Sequence, residues 1–235
     1  MVKDAAYYGV LEEIEQARES RETDLDFSKM GLTELPDEIG QLVDLQVLDL
    51  DNHPRFGRGK KLNQLRCLPE SLGQLVNLQR LHLDGNQLSS LPESLGQLVN
   101  LQRLDLSCNQ LSSLPESLGQ LVNLNWLWLP QNQLSSLPET VGQLVNLGEL
   151  NLMRNQLSSL PETVGQLVNL SWLFLDYNQL SSLPESLGQL PNLRPLDLEI
   201  DGNPLNPELQ AVYDLGPHKV LEYLRSRSNN SDSNE

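Results

Sequence analysis

Between Leu78 and Asn192 the apolar residues follow a fixed rhythm. The stretch LQRLHLDGNQLSSLPESLGQLVN sets it, with leucines two apart in LHL and a further leucine after NQ. Alternation at a period of two predicts a strand with one buried face. The SSLPES that follows is a turn composition. The rhythm returns every 23 residues, in units that start at Leu78, Leu101, Leu124, Leu147 and Leu170 and leave no gap. Val141 and Val164 replace the late leucine in two of them. One unit cannot bury its leucine face alone, whereas stacked units share one continuous core.

Five in-phase copies of LxxLxLxxNxLxxLPxxLGQLxN resemble the leucine-rich repeat family in its 23-residue form. The resemblance covers about 180 residues. It implies an α/β solenoid: a curved array with a concave parallel β-sheet and helical N- and C-terminal caps. It also implies that the recurring Asn63, Asn86, Asn109, Asn132, Asn155 and Asn178 form an internal ladder, their amides bonding the backbone of adjacent coils. A buried amide has to be satisfied in this way.

The pattern weakens at both ends. Residues 22–44 make a first unit with Leu25, Phe27 and Leu32 in register and Met30 in the Asn column. Before it, Tyr8, Leu11, Ile14 and Ala17 sit three apart, which predicts an amphipathic helix within a capping segment, residues 1–21. About eight repeats are expected over 22–205. Asn206 and Pro207 then supply an N-cap and a first helical position. Gly216-Pro217 should divide the C-terminal cap, residues 206–226, into two short helices. A disordered polar tail is expected over 227–235.

The second unit carries ten extra residues near 53–62, within DNHPRFGRGKKL. This loop holds Arg55, Arg58, Lys60 and Lys61, a quarter of the 16 basic residues. Its GRGK is not a phosphate loop, because Pro54 and Lys61 stand where GxxxxGK[ST] needs Gly and a hydroxyl. A solvated loop over an acidic flank, a contact with an acidic partner and a nucleic-acid patch remain as readings.

Charge narrows the partners. With 16 Lys+Arg against 32 Asp+Glu the net charge is −16, a field that repels phosphate backbones and anionic lipid. Neither nucleic acid nor membrane is therefore an expected partner. No apolar run of spanning length or signal-peptide length occurs, and Cys67 and Cys108 lie far apart. A cytoplasmic protein of a reducing compartment is the expectation. His53, His82 and His218 show no metal-ligand spacing, and no nucleophile motif or dinucleotide turn is present. No enzyme activity, metal or cofactor is expected.

The repeats differ where their strand residues face away from the core. The third position of each unit reads Asp24, Val47, Arg80, Arg103, Trp126, Glu149, Trp172, Pro195. The fifth reads Asp26, Asp49, His82, Asp105, Trp128, Asn151, Phe174, Asp197, with Met153 and Tyr177 farther along two units. All three tryptophans fall on this concave face. Trp126 and Trp128 flank an inward leucine, and Trp172 and Phe174 lie two strands on, about 10 Å away. Two aromatic walls with Glu149 between them can hold a Lys or Arg stem or anchor an apolar side chain. Arg80 and Arg103, beside His82, are expected to form cross-strand ion pairs at the rim. Cys108 is an ordinary thiol in this reading.

The chain thus reads as a non-enzymatic protein–protein interaction module that takes a protein or peptide partner on its concave face. Weak self-association is a further option. The opening helix and the ending NPLNPELQAVYDLGPHKVLEYLRS also resemble the repeat region of bacterial, often cyanobacterial, Roco signalling proteins. The alternatives are a regulatory portion of such a GTPase, a bacterial effector repeat domain, or a structural spacer or consensus array.

Overall fold

The computed structural model describes residues 5–52 and 61–231. Most of the basic loop, residues 53–60, lies outside them. Eight short strands form one parallel sheet whose spatial order is the chain order. They are β1 (Asp24–Asp26), β2 (Val47–Asp49), β3 (Arg80–His82), β4 (Arg103–Asp105), β5 (Trp126–Trp128), β6 (Glu149–Asn151), β7 (Trp172–Phe174) and β8 (Leu198–Glu199). The sheet is not closed, and its strands line the concave side of a curved solenoid.

In each strand from β1 to β7 the middle leucine points inward and is buried, while the residues beside it face out. The return half of a coil is a 3-10 turn such as Glu93–Gln97 or Glu116–Gln120, entered from a proline whose φ is near −70°. Proline fixes that angle and needs no N–H partner there. Glycine inside the turn answers to the neighbouring coil: a Cβ on Gly96 would stand 2.6 Å from the Ser117 carbonyl oxygen. Coil after coil, the late Leu or Val and three strand-side leucines fill one continuous core.

The recurring asparagines enter this core as a ladder. Asn132 Oδ1 accepts from Leu111 N at 3.0 Å, while its Nδ2 donates to Leu106 O at 2.9 Å and Leu129 O at 3.1 Å. Each amide thus bonds its own coil and the one before it. Asn203 makes the same contacts at the end of the array, accepting from Leu180 N and donating to Leu175 O and Ile200 O.

Asn203 exposes a register error in the sequence reading. With Asn203 on the ladder, the last coil holds two more residues before its strand. Leu198 pairs with Leu173 and Glu199 with Phe174, so Glu199, not Asp197, sits beside Phe174. Pro195–Asp197 is a separate 3-10 turn.

The N-terminal helix α1 (Ala5–Ser20) buries Tyr7, Val10, Ile14 and Ala17. Tyr8, assigned to the buried face from sequence, is 56% exposed. Helical residues turn by about 100°, so a strict spacing of three drifts by about 60° per step and cannot hold one face. The spacing 3, 4, 3 of the buried set can.

At the other end lie α2 (Pro207–Asp214) and α3 (His218–Ser231). Asn206 Oδ1 caps α2 by accepting from Leu209 N at 2.9 Å. The disordered tail expected from 227 does not begin there. Arg227 is still helical and bridges Glu185 at 2.7 Å and Glu208 at 3.2 Å, which ties this turn to the last coil.

Candidate interaction surface on the concave sheet

The parallel register decides which outward side chains become neighbours. Arg80, Arg103, Trp126, Glu149 and Trp172 form one row across β3 to β7. His82, Asp105, Trp128, Asn151 and Phe174 form the row beside it. Of the residues singled out in the sequence, the register gathers Arg103, Trp126, Trp128, Glu149, Trp172 and Phe174 on four adjacent strands. Arg80 and His82 lie on β3, two strands from the first tryptophan pair, and His82 faces Asp49 instead. Burial lifts the Asp49 carboxyl above its usual range, opposed by a bond from the Asp51 backbone and by the charge of His82.

Within each aromatic strand the rings lie nearly parallel. Trp126 and Trp128 have centroids 6.4 Å apart at 13°, and Trp172 and Phe174 are 6.3 Å apart at 11°. Residues two apart on a strand point the same way, so both rings of a pair stand up from the sheet. Trp128 Nε1 donates to Glu149 Oε1 at 2.8 Å, joining the first pair to the carboxylate between the pairs. Trp126, Trp128, Glu149 and Phe174 are half-buried, whereas Trp172 remains 47% exposed.

Arg103 does something other than the ion pairing expected of it. Its Cζ lies 3.4 Å from the centroid of Trp126, a cation–π stack. Desolvation and the like charge of Arg80 pull its pKa down from the ordinary guanidinium range.

A rim runs along the C-terminal ends of these strands. From Asn86 to Asn203 the residue before the ladder Asn has a left-handed backbone: Cys108, Gln131, Arg154 and Tyr177 at φ of 54° to 56°, with Gly85 and Gly202 at the same place on either side. This conformation costs a residue with a Cβ about 1–2 kcal/mol, and glycine almost nothing. Four consecutive coils therefore keep side chains where glycine would be cheaper, as the first coil does at Lys29 (φ 53°). Arg154 lies 5.1 Å from the Tyr177 ring centroid, and a Cβ on Gly202 would meet that ring at 2.6 Å. The Arg154–Tyr177 contact was not foreseen from sequence; only the recurring position before the Asn could have signalled it. Met153, half-buried, follows β6 beside this rim.

Charge elsewhere on the face is acidic. Cys108 stands against Asp84, and burial together with Asp84 and Asp105 pushes its thiol up to about 11, so it is a neutral group at pH 7. Past Phe174 the carboxyls of Asp176 and Glu199 adjoin, and burial holds both above their usual range, Glu199 also through the charge of Asp176. Tyr213 on α2 donates to Asp201 in the same corner, its own pKa pushed up to about 12 by burial and that bond. Among the described residues, no group of His, Cys, Asp and Glu is arranged to hold a metal, and no helix is long and apolar enough to cross a membrane.

Two family models match the chain: a leucine-rich repeat region over residues 117–235 and a leucine-rich repeat over 76–134. The chain belongs to the leucine-rich repeat family. Solved leucine-rich repeat structures superpose on it. One is a leucine-rich repeat protein of Leptospira interrogans, 34% identical, with a TM-score of 0.61, covering 80% of this chain and 57% of its own. Another is the ectodomain of the plant membrane receptor kinase GASSHO1/SCHENGEN3 from Arabidopsis thaliana, in complex with Casparian strip integrity factor 2. It is 34% identical, with a TM-score of 0.62, over 72% of this chain and 20% of that one. A TDR receptor is 37% identical at a TM-score of 0.63, over 72% and 28%. The chain thus spans between a fifth and somewhat over half of these proteins. No curated protein matches it. Leucine-rich repeat arrays are in general non-catalytic scaffolds for protein–protein interaction. The resemblance of the two end segments to Roco proteins is not carried by these matches.

Proposed function

We propose that this leucine-rich repeat array binds a protein or peptide partner across the concave strands β5 to β7. The observation that carries the reading is the pair of parallel ring stacks, Trp126–Trp128 and Trp172–Phe174, standing on the open face with Glu149 between them. Aromatic surface held out of the core marks an interaction site more often than not, and tryptophan is enriched among residues that dominate binding energy. The rim residues Gln131, Arg154 and Tyr177, kept at left-handed positions, add to it, since strain at a surface follows function. The protein caught on the GASSHO1/SCHENGEN3 ectodomain is consistent with a scaffold of this kind taking a partner.

The test is quantitative affinity capture with two baits, the wild-type chain and a variant with Trp126, Trp128, Trp172 and Phe174 all changed to Ala, matched for circular dichroism and melting. A protein enriched by the first bait and lost by the second supports the reading. Equal capture by both moves the contact off this face.

A further inference from the structure

We infer that the array forms a weak two-fold dimer through the flank beside its sheet, two copies running antiparallel with Val122 at the axis. This surface is separate from the concave face and independent of what that face binds. A row of apolar side chains outside the core comes first. Val43, Val76, Val99, Val122, Val145 and Val168 occupy one position in successive coils, shortly before the chain re-enters its strand. Each is 43–50% exposed. Exposed apolar residues are normally scattered singly; an unbroken row marks a contact surface. Side-chain amides hold the row in place: Asn123 Nδ2 donates to Val99 O and Asn146 Nδ2 to Val122 O, both at 2.8 Å.

Charge names the occupant. Coil by coil, the flank is QLVDLQ, QLVNLQ, QLVNLQ, QLVNLN, QLVNLG, QLVNLS and QLPNLR, from Gln41 to Arg194. In a chain of net charge −16, the five middle segments carry no charge at all. Charge appears only at the ends, as Asp44 in the first segment and Arg194 in the last. Among the described residues neither forms an ion pair. Val122 lies in the fourth segment, three coils from either end. A copy turned end over end about Val122 therefore lays Val99 against the partner's Val145 and Val76 against the partner's Val168. The same rotation sets Asp44 against the partner's Arg194 at both ends of the strip. Arg21, one coil before Asp44 and lining the same surface cavity, falls outside the paired span.

Like-charged copies repel across the rest of the molecule, and along this strip they do not. A two-fold contact uses the same patch twice, and carboxamides both donate and accept, so a row of them can pair with its own copy. A basic partner finds its carboxylates elsewhere on the molecule, with nothing on this strip to hold it. A second copy reproduces the coil interval, the length and the opposed end charges together. Six intervals of about 4.8 Å make the strip about 29 Å long, and it is three exposed side chains wide. That is the low end of specific interfaces, so the dimer belongs in the micromolar range. Because the strip lies beside the sheet and not on it, both concave faces stay open.

Sedimentation velocity on the full chain, from about 5 µM to about 500 µM, is the test. Reversible monomer–dimer exchange is the expected result. V122E meets its own copy at the axis and should weaken the dimer about ten-fold or more. At a half-exposed position it should leave circular dichroism and melting unchanged. D44R and R194D each set like charges together at both ends and should each weaken the dimer about five-fold. Mixed in equal amounts, these two variants should associate as tightly as the wild-type chain, because every end pair is then opposite in sign. D44R also lowers the net negative charge, so diffuse repulsion alone would strengthen its self-association, the opposite result. A chain that stays monomeric throughout overturns the inference. So does a dimer indifferent to V122E, or a mixture that fails to recover. A dimer lost only when Trp126, Trp128, Trp172 and Phe174 are changed to Ala puts the contact on the concave sheet and overturns it equally.

Discussion

Leu127 and its neighbours Trp126 and Trp128 show how one strand serves two purposes. Leu127 is wholly buried, so Leu127→Ala should cost roughly 2–5 kcal/mol through its cavity, measured by urea denaturation. Trp128 gives up a ring stack and one hydrogen bond to Glu149 when truncated. Trp128→Ala should therefore cost about 1–2 kcal/mol, clearly less than its neighbour. A larger loss would make the rings structural. Asn132→Ala removes four bonds and orphans Leu111 N in the core, for about 2–4 kcal/mol. Asp176 carries a pH signature. A carboxyl whose folded pKa is raised stabilises the fold below the unfolded carboxylate range, about pH 4, and that contribution is lost as pH rises through the folded value. Asp176→Asn should accordingly raise the melting temperature at pH 7, with the gain shrinking toward pH 4 in a calorimetric series. The alternation told which residues face out, so the aromatic face was legible. The ring planes, the Trp128–Glu149 bond and the Arg103 stack were not, because side-chain torsions are set by packing that periodicity does not encode.

Strands and 3-10 turns depend on their neighbours more than on themselves. A three-residue strand has no stability alone; it exists because the coils on either side supply its hydrogen bonds. Gly119 marks how closely those coils approach, since a Cβ there would lie 2.6 Å from the Thr140 carbonyl oxygen. Gly119→Ala should destabilise by about 1–3 kcal/mol, read from the urea midpoint at unchanged m-value. Where the repeat was regular, the repeat length and the inward face of each strand were legible, whereas the 3-10 turns after each proline were not. The misreadings fall where the pattern offered two registers. In the last coil, Leu193, Leu196, Leu198 and Ile200 satisfy the alternation in more than one frame, and only Asn203 on the ladder decides between them. In α1 both Tyr7 and Tyr8 could open an apolar stripe, and packing against the first coil chose Tyr7. The helical turn at Arg227 is held by Glu185 and Glu208, contacts forty-two and nineteen residues away in sequence that no local composition announces.

At the scale of the molecule, every coil touches only the coils beside it, and stability is close to a sum of unit and interface contributions. Amide exchange should then be slowest in the middle coils and faster toward both caps. The scaffold half, SSLPESLGQLVN with minor changes, is nearly the same in each unit, so one unit can stand where another stood. Excising residues 147–169 joins Asn146 to Leu170 in frame. The product should fold with one strand fewer than the present eight and a slightly lower melting temperature. It would also carry the second ring pair from two strands away to one, from about 10 Å to about 5 Å, and take Glu149 with it. Distance on this face is counted in whole coils, like marks on a ruler that cannot be subdivided. A gain or loss of 23 residues by recombination between near-identical units would therefore reset the spacing of the two ring pairs in a single heritable step, while leaving Trp126, Trp128, Trp172 and Phe174 themselves unaltered.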